Sequence, residues 1–185
     1  PHSLPVSGIA APSAEAFATP LGEVAIDREA IAALADAGRV GVDDRPHAPE
    51  HCLEVELPFL QTVLGGFTLI PLLVGDAAPR QVAAVIDAVL NRGTLLVVST
   101  DLSHYLDYDA AKARDRVTAE TIERRECDRL GAYDACGYAA LNGALCAARA
   151  QNWRIARLDL RNSGDISGDR ARVVGYGAWT LSAAG

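Results

Sequence analysis

The chain has 185 residues, of which 50% are hydrophobic and 22% charged, and its formal net charge is -7 at pH 7. This length and apolar content predict a single domain over residues 1–185. The acidic charge makes nucleic acids and anionic membranes poor partners, and no apolar run reaches transmembrane length.

The first third of the chain predicts a short strand and two helices. Residues 24–27 follow a turn signal and read as a strand, and Asp27 is placed to cap a helix over residues 28–37. Leucines then recur at helical spacing through residues 50–64. Pro58 should break or kink that helix near its middle, because proline removes a helical hydrogen bond.

The middle of the chain predicts a strand, a helix and a second strand. Residues 67–74 and 94–100 are short apolar runs, and residues 79–91 between them have an amphipathic helical pattern. A strand at residues 94–100 should be buried on both faces, as in a parallel sheet. This order is typical of a βαβ unit with a right-handed crossover.

The last third predicts two helices and a hairpin. Residues 109–125 are predicted to form a strongly charged helix, and residues 136–151 an alanine-rich helix able to pack closely against a sheet. Two strands follow at residues 153–161 and 172–181, separated by a polar turn. Their proximity in sequence predicts an antiparallel hairpin.

An acid and an imidazole follow the predicted strand at residues 94–100. Asp101 ends the apolar run, and His104 comes three residues later. Chemistry in open α/β sheets collects beyond the carboxyl ends of strands. This pair is therefore a candidate to orient a substrate, move a proton or hold a metal. The alternative is that Asp101 caps a helical turn and His104 is a loop residue.

The four cysteines have a wide, irregular spacing that fits neither a zinc ribbon nor a small disulfide scaffold. We therefore expect reduced thiols and a cytoplasmic protein. Cys136 lies at a predicted helix start, which favours a thiolate, although a small buried hydrophobic residue is the alternative. His47 is expected to be solvated, and His51 to cap, pack or act in the site. The four are Cys52, Cys127, Cys136 and Cys146.

Five segments occur in the order found in one known family. They read Ala-Thr-Pro-Leu-Gly-Glu-Val at 18–24, Glu-His-Cys-Leu-Glu-Val-Glu-Leu-Pro-Phe-Leu-Gln at 50–61, Ser-Thr-Asp-Leu-Ser-His-Tyr at 99–105, Ala-Cys-Gly at 135–137, and Asn-Ser-Gly-Asp at 162–165 with Val-Val-Gly-Tyr at 173–176. Together they resemble the Memo-like family, whose bacterial and archaeal members are called AmmeMemoRadiSam system protein B.

This resemblance implies an α/β fold like that of the class III extradiol dioxygenases, which use non-haem iron. The implied architecture is a mixed, mostly parallel central sheet with helices on both faces and a pocket at the strand ends. Family members carry an upstream portion with the first site histidine. Since the chain begins at Pro1 and contains no methionine, we expect that its N-terminal portion, with the first βαβ unit, is missing.

The resemblance also implies roles for single residues. His2 and Cys136 match two metal ligands of the family, and Asp101 and His104 match a nearby catalytic acid and imidazole. Glu50-His51 matches a family signature and is a candidate part of the pocket. A thiolate with imidazole ligands suits iron or copper better than magnesium.

Three functions remain open at this stage. The first is a metal-dependent, dioxygenase-like oxidoreductase with a small-molecule substrate, in which His104 transfers a proton and Asp101 orients it. The second is a non-enzymatic binding or adaptor protein that keeps the pocket for a peptide or small ligand. The third is a hydrolase that uses Cys136 and His104. The resemblance further implies association with Ammecr-like and radical SAM proteins.

Overall fold

The computed structural model describes residues 1, 3–91 and 93–183, and within them the predicted mixed α/β class is confirmed. The strands are β1 (Ile9–Ala11), β2 (Ala16–Thr19), β3 (Gly22–Ala25), β4 (Gly41–Val42), β5 (Leu73–Val74), β6 (His104–Leu106), β7 (Arg154–Asn162) and β8 (Val173–Ser182). The helices are α1 (Arg28–Asp36), α2 (Leu57–Leu64), α3 (Pro79–Val89), α4 (Tyr108–Glu123), α5 (Tyr138–Ala150) and α6 (Gly164–Ser167).

The strands form three small sheets. In the first, β1 pairs in parallel with β4 and antiparallel with β5. The second is the antiparallel pair β2–β3, and the third has the antiparallel order β6–β8–β7. Of these pairings between named strands in the described ranges, only β1–β4 is parallel. The expectation of a mostly parallel central sheet therefore does not hold for these residues.

Elements predicted from local signals agree with the structure. The Asp27 carboxylate accepts a hydrogen bond from the Ala30 N–H at 2.9 Å and caps α1 as predicted. The long hairpin of β7 and β8 also forms, with Arg154 opposite Ser182 at one end and Asn162 opposite Gly175 at the other. These features depend on neighbours in sequence, which is why the residue pattern alone identifies them.

The predicted helix over residues 50–64, broken or kinked at Pro58, forms only in its second half. Helix α2 begins only at Leu57, and Pro58 lies in its first turn. In the first turn, a backbone N–H has no helical acceptor, so the missing proline N–H costs nothing there. Pro58 therefore starts a short helix, and the buried Leu57 fixes it to the protein.

The predicted βαβ unit forms only in part. Helix α3 is present, but the strand before it is reduced to β5, and residues 94–100 pair with no other strand of the described chain. Leu96 and Val98 nevertheless pack against the main core, whereas Leu95 and Val97 are exposed. This alternation is the pattern of a strand with one covered face. The expectation of burial on both faces is wrong because a groove of about 620 Å³ lies beside this segment.

The main hydrophobic core lies between α1, α3 and α5. Buried side chains of α3, including Val82 and Val85, meet the small residues of α5. Gly143 of α5 lies so close to Val82 that a Cβ there would overlap it. The alanine-rich helix therefore packs closely as predicted, but its close partner is helix α3 and not the expected sheet. In the part of the chain that the structure describes, no helix is both long and apolar enough to cross a membrane.

Two expectations about single side chains are wrong. His47 is buried, and its Nε2 lies 3.2 Å from the carbonyl oxygen of Ala10, so it is not a solvated loop residue. Burial lowers the pKa of His47, which favours the neutral imidazole. Cys127 and Cys146 are joined in a disulfide rather than reduced. The fold brings these distant cysteines together, and their spacing in sequence does not reveal it.

Candidate metal site

Asp101, His104 and Cys136 meet at one place in the structure. The ligand-type atoms of the three side chains all lie within 4.8 Å of one another, and each residue is partly buried. The His104 Nε2 is 3.8 Å from the Asp101 Oδ2. Three residues that the sequence singled out separately therefore form one cluster.

Backbone hydrogen bonds hold Cys136 against Asp101. The Cys136 N–H donates to the Asp101 carbonyl at 3.1 Å, and the Asp101 N–H donates to the Cys136 Sγ at 3.1 Å. The Thr100 hydroxyl lies 3.5 Å from the same sulfur. These contacts fix the position of the sulfur, which is the atom through which a cysteine binds a metal or attacks an electrophile.

The position of Cys136 differs slightly from the prediction. The alanine-rich helix α5 begins at Tyr138, with Gly137 as its N-cap, so Cys136 precedes the helix and does not open it. The Gly137 N–H donates to the Thr100 hydroxyl at 2.8 Å. A Cβ on residue 137 would lie 2.7 Å from the Ser99 carbonyl oxygen. A glycine is thus needed for the two segments to approach this closely.

His104 lies at the start of β6, beside a β-bulge. His104 pairs with Val174 and Leu106 pairs with Val173, so Tyr105 is the extra residue. Tyr105 has a φ of 59°, in the left-handed region that a bulky side chain rarely adopts. Bulges of this kind change the direction of a side chain and are frequent next to active sites.

A buried carboxylate supports the segment between Asp101 and His104. Asp115 of α4 is only 2% exposed and accepts a hydrogen bond from the Ser103 N–H at 3.0 Å. Burial raises the pKa of Asp115, while the hydrogen bonds from Ser103 act in the opposite direction. Leu102 and Ser103 also exchange backbone hydrogen bonds with Gly175 of β8, at 2.9 and 2.8 Å. The segment is therefore held from two sides.

The sequence reasoning missed Asp115, which looks like one of many acids on a charged helix. A signal for it exists, because Asp115 falls on the buried stripe of α4. An acid at helical spacing from buried small residues must find donors inside the fold. That stripe consists of Ala111, Asp115, Thr118, Ala119 and Ile122.

Of the remaining candidate residues, Glu50 and His51 lie elsewhere, and His2 falls outside the described residues. Glu50 is buried and accepts the His51 N–H at 3.0 Å, and the exposed His51 ring has its Nδ1 3.6 Å from the same carboxylate oxygen. Neither belongs to the cluster of potential ligands among the described residues. Cys52 and Cys136 both line the 620 Å³ groove, but burial raises the pKa of Cys52 to about 12 and keeps its thiol protonated.

The chemistry of the three donors fits a transition metal. Bonds of 2.0–2.3 Å to a central ion place neighbouring ligand atoms about 3–4 Å apart, and the observed cluster needs little adjustment to reach that spacing. Sulfur, imidazole nitrogen and a carboxylate oxygen form a set that suits iron, copper or zinc. Three protein ligands also leave a coordination position open, as in catalytic metal sites.

The sequence matches the family described as Memo-like protein over residues 1–180. A MEMO1 family protein of Thermotoga neapolitana is 36% identical over 176 residues, which cover 89% of this chain and 62% of the relative. One of Aeropyrum pernix is 36% identical over 174 residues, covering 86% and 62%. One of Methanopyrus kandleri is 35% identical over 187 residues, covering 93% and 66%. This chain therefore spans less than two thirds of each of these relatives.

Proposed function

We propose that this chain, which belongs to the Memo-like family, binds iron or copper at Asp101, His104 and Cys136 and acts on a small molecule in a metal-dependent redox reaction. The observation that carries the proposal is the convergence of three potential ligand atoms within 4.8 Å. A thiolate beside an imidazole favours iron or copper over magnesium. When bound, either metal supplies one-electron and dioxygen chemistry that side chains lack.

The protein residues have distinct tasks in this proposal. The Asp101 N–H donates a hydrogen bond to the Cys136 sulfur, and the Thr100 hydroxyl donates to the Asp101 carbonyl, so both bonds hold Cys136 and Asp101 together. Asp115 fixes the backbone of Ser103, which places His104 next to Asp101. The partial exposure of the cluster leaves it open to a substrate from solvent.

Two roles for His104 follow from different arguments. The geometry supports a ligand role for His104, whereas the family resemblance implies that His2 is a ligand and that His104 donates or accepts a proton. Both roles place His104 at the reacting centre, 3.8 Å from the Asp101 carboxylate. They differ in what removal of the imidazole does to metal binding, so metal content separates them.

Metal analysis tests this proposal directly. Purified protein is loaded with ferrous iron or with copper, desalted, and analysed for bound metal by mass spectrometry. We expect about one equivalent in the wild type and a loss of affinity of about 100-fold or more in Cys136→Ala, because removing a direct ligand costs at least as much as removing a residue behind it. His104→Ala loses metal if His104 is a ligand and keeps it if His104 transfers a proton.

The matched control is Cys52→Ala, since Cys52 is the other free cysteine that lines the groove and lies outside the cluster. Its metal content should equal that of the wild type. A wild-type protein without either metal, or a Cys136→Ala variant that binds as the wild type does, would contradict the proposal.

We further propose that a β-strand fills the 620 Å³ groove and completes an extradiol-dioxygenase-like sheet. The strand would come from the part of the longer family members that this chain does not span. Two features support this proposal: residues 95–98 alternate between open and covered side chains, and the backbone N–H groups of residues 95–100 have no backbone partner among the described residues. A new strand would satisfy those donors and cover Leu95 and Val97.

Amide hydrogen exchange tests the additional strand. Amides of residues 95–99 should exchange rapidly in the 185-residue chain and slow markedly when the remaining segment of the Thermotoga neapolitana relative is added. Amides of the β7–β8 hairpin should be protected in both samples. Strong protection of residues 95–99 in the chain alone, or no change after addition, would refute the proposal.

A further inference from the structure

Tyr105 connects the candidate metal site to an arginine. The Tyr105 ring is 64% exposed and lies edge-on to the His104 ring, with 5.7 Å between the ring centres. The Arg172 guanidinium carbon lies 4.9 Å from the centre of the Tyr105 ring. A single aromatic ring therefore separates the imidazole of the site from a positive charge.

Arg172 has no acidic partner among the described residues. No carboxylate of that part of the chain lies within ion-pair distance of its guanidinium. A stacked guanidinium keeps the N–H groups at its edge free, and these are the groups that bind an oxyanion in a fork.

Two further cations lie against the ring of a second tyrosine, Tyr108. Arg170 lies 4.2 Å and Lys112 5.2 Å from the centre of the Tyr108 ring. Their charge is partly met by Asp165, which accepts a hydrogen bond from the Tyr108 hydroxyl at 2.6 Å. That hydrogen bond lowers the pKa of Asp165, and both cations contribute to the same shift. Of these three cations, Arg172 is the one whose aromatic partner also contacts the candidate metal site.

The backbone conformation of Tyr105 orients its ring between His104 and Arg172. Tyr105 is the bulged residue of β6 and has a φ of 59°. A tyrosine in the left-handed region is strained, and such strain persists where the surrounding structure enforces it, often at binding sites. The bulge places the Tyr105 ring beside both His104 and Arg172.

We propose that the ligand of the metal site carries a carboxylate or a phosphate, and that Arg172 binds this oxyanion beside the Tyr105 ring. The reacting end of the ligand then lies at Asp101, His104 and Cys136, and its acidic end at Arg172. This assignment rests on the proposed function for the reacting end only. The substrate class is a small organic anion, and Arg172 is the residue that selects its charge.

Binding of three related probes tests the assignment. Benzoate and phenyl phosphate carry the two oxyanions, and benzyl alcohol is the neutral control. Calorimetric titration should give saturable binding of at least one anion to the wild type, weakened about tenfold or more in Arg172→Gln. Arg172→Lys should restore part of the affinity, because it returns the charge without the planar fork. The tighter of the two anions identifies the carboxylate or the phosphate as the recognised group.

The matched control is Arg154→Gln, which removes an exposed arginine from the opposite end of the β7–β8 hairpin. It should bind both anions as the wild type does. The assignment is overturned if no anion binds, if benzyl alcohol binds as tightly as the anions, or if Arg172→Gln retains wild-type affinity.

Metal content measured on the same samples separates this inference from the proposed function. Arg172→Gln should keep its metal, since Arg172 is not among the clustered ligands. Anion binding that depends on Arg172 in a protein without metal would refute the metal proposal and leave the oxyanion assignment standing. Normal metal content together with unchanged anion binding in Arg172→Gln would refute the oxyanion assignment and leave the metal proposal standing.

Discussion

Gly175→Ala is expected to lower the free energy of unfolding by about 2–3 kcal/mol, because it overfills a closely packed site. A Cβ on residue 175 would overlap the carboxylate of Asp115, and both residues are buried. The Asp115 carboxylate cannot simply move away, since it accepts the Ser103 N–H. The backbone before His104 must shift instead, so the variant should also bind metal less tightly.

Urea unfolding followed by circular dichroism measures this effect. Gly66→Ala is the matched control, because a Cβ at Gly66 meets no atom within 4 Å and Gly66 does not have a positive φ. That variant should be as stable as the wild type or slightly more stable. Equal stability of Gly175→Ala and the wild type would show that the contact with Asp115 is not restrictive.

A double-mutant cycle tests whether the destabilisation by Gly175→Ala comes from its contact with Asp115. Asp115→Ala alone should destabilise the protein, because the buried Ser103 N–H loses its acceptor. However, Asp115→Ala also removes the carboxylate that a Cβ at residue 175 would overlap, so Gly175→Ala adds its methyl group to an open space in the double variant. The double variant should therefore lose less free energy of unfolding than the two single variants lose together, by about 1 kcal/mol or more. Additive effects would place the strain elsewhere.

The sequence predicted those parts of the fold that depend on nearby residues. The cap at Asp27 and helix α3 follow from residues within a few positions of one another, and the hairpin joins β7 and β8, which are consecutive strands. Pro58 shows the limit of this reasoning. The same residue kinks a long helix or starts a short one, and the choice depends on whether the preceding residues find a helical partner.

The site was predictable as a set of residue types but not as a cluster. Asp101 and His104 are three positions apart in one segment, so the sequence alone indicates that they lie near each other. Cys136 joins them only because its backbone pairs with Asp101 across 35 positions. The disulfide remained hidden because a contact between distant segments leaves little trace in local patterns, whereas Asp115 could have been found from the buried stripe of α4.

Removing the disulfide should cost about 3 kcal/mol of stability under oxidising conditions, the value for a closed loop of about 15–20 residues. Cys127 and Cys146 are 19 positions apart and enclose the loop that carries Cys136. In the unfolded chain, the bond restricts that loop, so the Cys127→Ala/Cys146→Ala variant regains the lost conformational entropy. Urea unfolding with and without a reducing agent measures the difference.

Comparing the stability of each protein with and without reductant distinguishes the effect of a disulfide from the effect of side-chain packing. Reduction should lower the stability of the wild type to nearly that of the double alanine variant, and it should leave the variant unchanged. Cys52→Ala should respond to reduction as the wild type does, since Cys52 is a free thiol. The loop should keep its position after reduction, because the buried Asn142 side chain bonds both the N–H and the carbonyl of Leu130. A wild type whose stability is the same with and without reductant would show that the bond does not form in solution.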